Sequence, residues 1–308
     1  HAELSELATD LIDAIEIDKE AHEKRDQQYE EGLRRTGLGN DSPGGASFAG
    51  ASRATHPALM EAALDFSARV MSEMLPPEGP VKSFVVGDPS DEKEERAKRT
   101  ARFMNYQITE MMPSAYHEFE MGFTQCPLGG AFYTKTYTVD GVPNTMFVPI
   151  DKVHRPWSDG DFYSQPRITH EQDVDKYQFN DNVRRGLWLD VLNVASAPSI
   201  DDQTKSTVAN DRIIGRESPT ENVDDVRPVY EVSAMLPSLE GDEDADGVLP
   251  YIVTIDVNTR RILAIYRNWE EDDENQKRLD FLIEWPFWPW RGGIPIGMTQ
   301  MIGSLAGA

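Results

Sequence analysis

The sequence predicts an α+β fold in which helices come first and mainly antiparallel strands follow. Apolar residues recur at three-to-four spacing in 2–35, 57–75 and 88–126, as on the buried face of a helix. Segments rich in β-branched and aromatic residues begin at Phe132 and are separated by short turn sequences. Because strands and helices do not alternate along the chain, a parallel βαβ sheet is not expected.

The first predicted helix, 2–35, changes character halfway. Its first half has an apolar stripe of Leu4, Leu7, Leu11 and Ile15, whereas residues 18–35 are nearly all polar. We expect the polar half to project into solvent or to lie on a partner. Residues 37–55 are rich in Gly, Ser and Ala and are expected to form a linker. The chain is thereby divided into 1–51, a helix with its linker, and 52–308, an α+β domain.

Two helices are predicted after the linker. The first, 57–75, ends at Pro76 and Pro77. The second starts with Pro89 and continues to Pro113, with a further helical stretch to Cys126. An apolar face should pack the second helix onto the core; it comprises Ala97, Ala101, Met104, Ile108 and Met111. Three ion pairs at i, i+4 spacing are expected on its other faces: Glu92–Arg96, Glu94–Lys98 and Glu95–Arg99.

The rest of the chain is predicted to be mostly strands. A hairpin joins 132–139 to 145–150 through the turn dipeptide Asp140-Gly141. Later strands are expected at 229–236, 251–257, 261–269 and 279–285. Two segments are predicted differently. Residues 169–185 resemble a polar helix that turns Val174, Tyr177 and Phe179 inward and ends at Gly186. Residues 201–225 are acidic and show no periodic pattern, which predicts a loop.

The charge balance limits the kinds of partner. Thirty Lys and Arg residues stand against 54 Asp and Glu residues, a formal net charge of −24. A DNA-gripping surface needs clustered Lys and Arg and is not expected, although a surface past which DNA slides is compatible with this charge. The single cysteine, Cys126, predicts a small buried side chain and assembly in a reducing cytosol. No apolar stretch approaches the roughly 18 residues that a membrane span requires.

Motifs for cofactor chemistry are missing from the sequence. The six histidines form no pair with zinc-ligand spacing, and no P-loop, nucleophile elbow or dinucleotide fingerprint is present. We therefore expect no cofactor, no catalytic residue, and no role as the ATP-driven part of a motor. Asp242, Asp244 and Asp246, with Gly247, match the opening of a calcium loop. The position of the bidentate Glu is Val253, and the flanks resemble strands, so an acidic hairpin loop is the alternative to a calcium site.

The most distinctive segment is the aromatic segment, 284–290, with the sequence EWPFWPW. Trp285, Phe287, Trp288 and Trp290 are expected to fill a core or a subunit interface. The alternative is an acidic carbohydrate-active enzyme with Trp-lined subsites and Asp280 and Glu284 as its carboxylates. On a strand these two side chains would share a face about 13 Å apart, too far for the usual carboxylate pair.

The order of several short motifs resembles the P22-like portal proteins, the head-to-tail connectors of tailed bacteriophages. The resemblance covers roughly 52–308. The stretches that carry it are THPAL at 55–59, EGPVK at 78–82, FTQCPLGGA at 123–131, VPIDKVH at 148–154, IYRNWEEDD at 265–273, EWPFWPW at 284–290, IPIG at 294–297 and LAGA at 305–308. Individually these motifs are weak, and they are recognisable as an ordered set.

The resemblance implies an α+β wing domain at the periphery of a homo-dodecameric ring. Such a ring sits at the capsid vertex of the virion and is assembled in the host cytoplasm. Its full-length subunits meet capsid or scaffolding protein, terminase and the head–tail adaptor, and double-stranded DNA passes through its channel without sequence-specific binding. The family's stem and clip would follow Ala308. The chain starts without Met and its last residues resemble an unfinished helix, so we expect a fragment of a longer protein.

Overall fold

The computed structural model describes residues 2–38, 57–139, 141–158, 160–190, 205–217, 224–239 and 247–302. The described helices are α1 (Ala2–Arg35), α2 (Ala58–Met74), α3 (Asp91–Tyr106), α4 (Ala115–Gly129), α5 (Lys176–Arg184), α6 (Lys205–Ile214) and α7 (Met298–Ile302). The described strands are β1 (Ala131–Val139), β2 (Val142–Val148), β3 (Val153–His154), β4 (Arg167–Val174), β5 (Arg227–Pro237), β6 (Val248–Asp256), β7 (Arg261–Arg267) and β8 (Leu282–Pro286). The fold is α+β, as predicted.

The strands form two antiparallel sheets. The smaller sheet has the order β2-β1-β8, and the larger has the order β3-β4-β5-β6-β7. The predicted hairpin is confirmed, with Val139 opposite Val142 and a positive φ of 78° at Gly141. Strand β8 comes from far along the chain and pairs with β1, so that Trp285 lies opposite Phe132. None of the described helices combines the length and the apolar character needed to cross a membrane.

Helix α1 contributes to the cores beneath both sheets. Near its start, Ala8, Ile12 and Ile15 pack against buried residues of β5 and β6. Near its end, Tyr29 and Leu33 pack with residues of β1, β2 and β8. The expectation that its polar half projects into solvent or onto a partner is wrong, because Asp18, His22 and Arg25 are also buried within the same chain. Hydrogen bonds make this burial possible, since Asp18 accepts from the Arg167 guanidinium and Arg25 donates to the Val153 carbonyl at 3.1 Å.

The segment predicted as a polar helix at 169–185 is a strand followed by a short helix. Strand β4 pairs with β5 from Arg167 opposite Ala234 to Val174 opposite Arg227. Asp175 then caps α5 by accepting hydrogen bonds from the backbone N–H groups of Tyr177 and Gln178. Pairing with β5 satisfies the backbone of this polar segment, and tertiary context outweighs its weak strand propensity. Phe179 is buried and Gly186 ends α5 as predicted, but Tyr177 is exposed.

Part of the segment predicted as a loop at 201–225 is helix α6. The buried side of α6 comprises Ser206, Ala209 and Asp211, and α6 packs on α1. Small and polar residues on the contact side leave almost no apolar periodicity, which explains why the sequence pattern missed this helix. The predicted linker lies mostly outside the described residues, as do 191–204, 218–223 and 303–308.

Helix α3 begins two residues later than predicted, with Ser90 as the N-cap that accepts a hydrogen bond from the Lys93 N–H. A π-helical turn, Gln107–Met111, follows it. Two of the three expected ion pairs form, Glu94–Lys98 at 4.0 Å and Glu95–Arg99 at 3.9 Å. The predicted packing of the apolar face onto the core is confirmed in part: Ala101 is buried and Ala97, Ile108 and Met111 are half-buried, whereas Met104 is 42% exposed.

Gly122 offers a test of the packing between α4 and β1. A Cβ atom at this position would lie 2.2 Å from the ring of Phe132, which is fully buried. We expect Gly122→Ala to lower the free energy of unfolding by about 1–3 kcal/mol, because overpacking a close-packed core forces side chains off their rotamers. Urea unfolding measures the change. Thr100→Ala, on the exposed side of α3, is the control, and an unchanged midpoint for Gly122→Ala would contradict this packing.

Candidate interaction site: the aromatic segment and its surroundings

The first part of the aromatic segment belongs to the core. The ring of Trp285 stacks on Phe132 at a centroid distance of 5.9 Å and meets Phe119 and Phe123 edge-on at 5.4 and 5.8 Å. Its indole N–H donates a hydrogen bond of 2.9 Å to the Thr134 hydroxyl. Trp285 also lines an apolar cavity of about 320 Å³ between α4 and the smaller sheet. Because successive side chains of a strand point to opposite faces of the sheet, the Trp285 side chain points towards α4.

Phe287 and Cys126 complete this apolar cluster. Phe287 meets Phe66 of α2 edge-on at 5.1 Å. Cys126 is buried, as predicted, and its thiol donates to the backbone carbonyl of Trp285 at 3.4 Å. Burial raises the pKa of the Cys126 thiol to about 12. A thiol in this state is a packing group and a poor nucleophile at neutral pH.

The second part of the aromatic segment lies on the surface. Trp288 and Trp290 are 52% and 60% exposed. They belong to a loop that closes on itself, because the Ile296 N–H donates to the Trp288 carbonyl at 3.0 Å. The segment that sequence reasoning treated as one unit is therefore divided between a core and an exposed loop.

A third exposed tryptophan, Trp157, lies on an adjoining loop and is 84% exposed. The two loops meet at Gly293, where a Cβ atom would lie only 2.4 Å from the Gly160 carbonyl oxygen. The buried Arg155 donates from its guanidinium to the Gly293 carbonyl and ties the loops together. We call the exposed surface of these two adjoining loops, which carry Trp157, Trp288 and Trp290, the tryptophan patch. Sequence reasoning missed Trp157, whose signal is a lone large aromatic residue after a proline in a polar stretch.

An exposed carboxylate adjoins the patch on the Trp157 loop. Asp161 accepts a hydrogen bond of 2.7 Å from the Ser164 N–H. Hydrogen bonds from the side chain and backbone of Ser164 hold the pKa of Asp161 below its usual value. The carboxylate is therefore ionised at neutral pH, and because Arg291 is also exposed beside Trp290, the patch combines aromatic side chains with charges of both signs.

The two carboxylates considered for glycoside hydrolysis lie in different surroundings. Asp280 precedes β8, so the strand spacing assumed for this pair is wrong, and its carboxylate pairs with Arg278 at 3.4 Å. Glu284 accepts a hydrogen bond of 3.2 Å from the Tyr133 hydroxyl. Burial raises the pKa of Glu284, and the nearby Arg155 offsets only part of that effect. Glu284 is on the opposite face of β8 from Trp285, so this half-buried tryptophan does not line a subsite with it.

The described residues contain no group of three or more His, Cys, Asp or Glu side chains that could hold a metal ion. The calcium candidates Asp242, Asp244 and Asp246 lie outside the described residues. His117 is exposed, whereas His22, His154 and His170 are buried.

A buried polar network joins α1 to the larger sheet, and sequence reasoning missed it. Asp18 on α1 accepts hydrogen bonds of 2.7 and 2.8 Å from the Arg167 guanidinium on β4. Three groups surround the Glu171 carboxylate: Lys19 at 3.0 Å, Lys152 at 3.1 Å and His154 at 3.3 Å. The only sequence signal was polar residues at helical spacing, which normally indicates a solvated face.

The network shifts several pKa values. Burial alone would raise the pKa of Glu171, but His154, Lys152 and Lys19 outweigh it and hold the value well below the usual range. Burial lowers the pKa of His22 to about 3, and the charge of Arg25 acts in the same direction. Burial also lowers the pKa of His170 to about 3. The folded protein therefore keeps His22 and His170 neutral and Glu171 ionised at neutral pH.

Comparison of the sequence with protein-family models finds no match, and comparison with curated proteins finds none either. The grounds for a function are therefore the chain's own residues, their geometry and the resemblance of the short motifs to those of portal proteins.

The division of the aromatic segment predicts different effects for its two ends. Trp285→Ala removes a half-buried indole that packs on the core and should lower the free energy of unfolding by about 2–4 kcal/mol, somewhat less than for a fully buried indole. Trp290→Ala removes an exposed ring and should change it by less than about 0.5 kcal/mol. Thermal and urea unfolding of both variants measure the difference. Equal destabilisation by the two substitutions would show that Trp290 also packs into the core.

The buried histidines predict acid sensitivity. The unfolded chain takes up a proton at His22 near pH 6.5, whereas the folded chain does so only near pH 3. Unfolding therefore takes up protons between these values, and stability falls as the pH falls through this window. His22→Gln should reduce the slope of unfolding free energy against pH by about 1.4 kcal/mol per pH unit. Urea unfolding from pH 7 to about 4 gives this slope. His117→Gln is the control, and an unchanged slope in His22→Gln would contradict a neutral buried His22.

Proposed function

We propose that this chain is the wing portion of a portal protein, a structural subunit of a ring at the capsid vertex. The ordered set of short motifs between residues 55 and 308 suggests the family, and the observation that supports self-association is the tryptophan patch. It places three exposed tryptophans on two loops that a buried arginine ties together, and exposed tryptophans of this kind are enriched at protein interfaces.

The charge of the chain fits a conduit. A subunit with a net charge of −24 repels the phosphate backbone, so DNA can pass the ring without adhering to it. In this role the ring guides DNA during packaging and ejection and provides the platform on which head and tail join. The partners of the chain are the other copies in a homo-dodecameric ring, capsid or scaffolding protein, terminase and the head–tail adaptor, in the virion.

Ring formation is the direct test. Native mass spectrometry and electron microscopy of the complete protein should show a closed ring of about twelve subunits. The double variant Trp157→Ala/Trp290→Ala should raise the concentration needed for assembly about tenfold or more, because aromatic hot spots dominate interface energy. Tyr177→Ala, an exposed aromatic on α5, is the matched control and should assemble like the wild type. A wild type that stays monomeric at high concentration would end the proposal.

A carbohydrate-active enzyme is the alternative. The observation that favours it is Glu284, a mostly buried carboxyl with a raised pKa beside the Tyr133 hydroxyl, which suits a general acid. A screen with aryl glycosides tests this function. Turnover that is lost in Glu284→Gln, with folding retained, would favour the enzyme over the ring subunit.

A further inference from the structure

The apolar cavity between α4 and the smaller sheet has two walls of different origin. One wall is a face of the sheet, where the strand register places Thr145 opposite Thr136 and Ile283 opposite Thr134. The other wall is formed by the end of α2, the π-helical turn and the first half of α4. Protein interiors leave few voids larger than a water molecule, so a cavity of about 320 Å³ is an unusual feature of this fold.

The walls of the cavity are apolar and uncharged. Its described lining residues are aliphatic, aromatic and methionine side chains together with three threonines, and none of them carries a charge. An ion or a phosphate ester would lose its hydration there without gaining a charged partner. A segment of another protein would bury backbone N–H and C=O groups against walls that offer only three hydroxyls. The cavity therefore favours a small neutral molecule as its occupant.

Two buried hydroxyls in the sheet wall have unused hydrogen-bonding capacity. Thr134 and Thr145 are 2% and 5% exposed, and both line the cavity. The Thr134 oxygen accepts the Trp285 indole N–H at 2.9 Å, but its own hydrogen has no acceptor within the described part of the chain. The Thr145 hydroxyl makes no hydrogen bond with any described residue. Because buried hydroxyls are normally paired, this wall is suited to a ligand that brings a hydroxyl or a carbonyl group.

We propose that the cavity binds a small neutral molecule with a fused-ring aromatic body and one hydroxyl or carbonyl group. A cavity of about 150 Å³ holds one benzene ring, so about 320 Å³ accommodates two fused rings. The rings would pack among Phe119, Phe123 and Trp285, and the polar group would exchange a hydrogen bond with Thr145. This binding site goes beyond the proposed ring and does not depend on it.

The π-helical turn in the second wall is an independent indication of a functional site. Ile108 of this turn lines the cavity, and π-helical turns of this kind are frequent at functional sites. Met74 and Thr136 line the cavity and are also exposed, which gives a ligand access from solvent. The turn joins α3 to the region before α4, so a bound ligand would contact the junction from which α3 extends.

Equilibrium dialysis with 2-naphthol and naphthalene as probes tests the site and its polar contact. The wild type should bind 2-naphthol saturably with a Kd of about 1 mM or lower. Thr145→Val keeps the shape of the side chain and removes its hydroxyl. It should weaken 2-naphthol binding about two- to tenfold and leave naphthalene binding unchanged. Thr138→Val, at an exposed position of β1, is the matched control and should bind both probes like the wild type.

A second variant fills the cavity. Ala115 is 1% exposed and lines the cavity, so the larger side chain in Ala115→Leu would occupy part of the space. This substitution should weaken binding of both probes about tenfold or more. Ala68→Leu, at an exposed position of α2, is the matched control. Urea unfolding verifies that the variants are folded, and the Thr145→Val result decides if Ala115→Leu does not fold.

Methyl NMR of the methionines locates the bound probe. Titration with 2-naphthol should shift the methyl signals of Met74 and Met112, which line the cavity, and leave that of Met235 on β5 unchanged. Three outcomes overturn the proposal: no saturable binding by the wild type, binding that folded Ala115→Leu retains in full, or equal loss of both probes in Thr145→Val. A chain that binds 2-naphthol in this way but forms no ring would leave the cavity proposal standing and end the ring proposal.

Discussion

The salt bridge between Asp18 and the half-buried Arg167 joins α1 to the larger sheet at a point where the Asp18 carboxylate could not be buried alone. Removing an ionised carboxylate from water costs several kcal/mol, and the bidentate geometry with its two short hydrogen bonds offsets that cost. Because α1 also packs beneath the smaller sheet through Tyr29 and Leu33, its placement decides how the two sheets sit on a common core.

The neighbouring network around Glu171 is a second place where a buried carboxylate is paired with basic side chains. One carboxylate meets two lysines and a histidine contributed by α1, the turn after β2, and β3. Buried charge networks of this kind are weak evidence for stability, but they are intolerant of rearrangement, since the loss of one partner leaves the others uncompensated. We infer that this network gives the α1–sheet contact its register and that apolar packing supplies most of the free energy.

A rigid interior of this kind lets loops present side chains at fixed positions. Arg155 is buried, yet its guanidinium reaches a carbonyl in the loop that carries Trp288 and Trp290. The segment before α3 is fixed in a similar way, because the Asn105 side chain accepts a hydrogen bond from the Val81 N–H and Gly79 leaves room for Asn105 to approach. In both places a buried polar group connects the core to an exposed aromatic surface, which suits a protein proposed to act through contacts with copies of itself.

The sequence by itself determined the class of fold, the first hairpin and several helices, because periodic apolar residues and turn dipeptides act locally. It also determined that Cys126 is buried. Tertiary structure decided the rest. Strand β4 is polar and exists because β5 pairs with it, and α6 and the polar half of α1 are held by partners more than a hundred residues away. Local patterns carry no information about such partners. The sequence therefore did not show which residues of the aromatic segment lie in the core and which lie on the surface, nor how much of α3 is exposed.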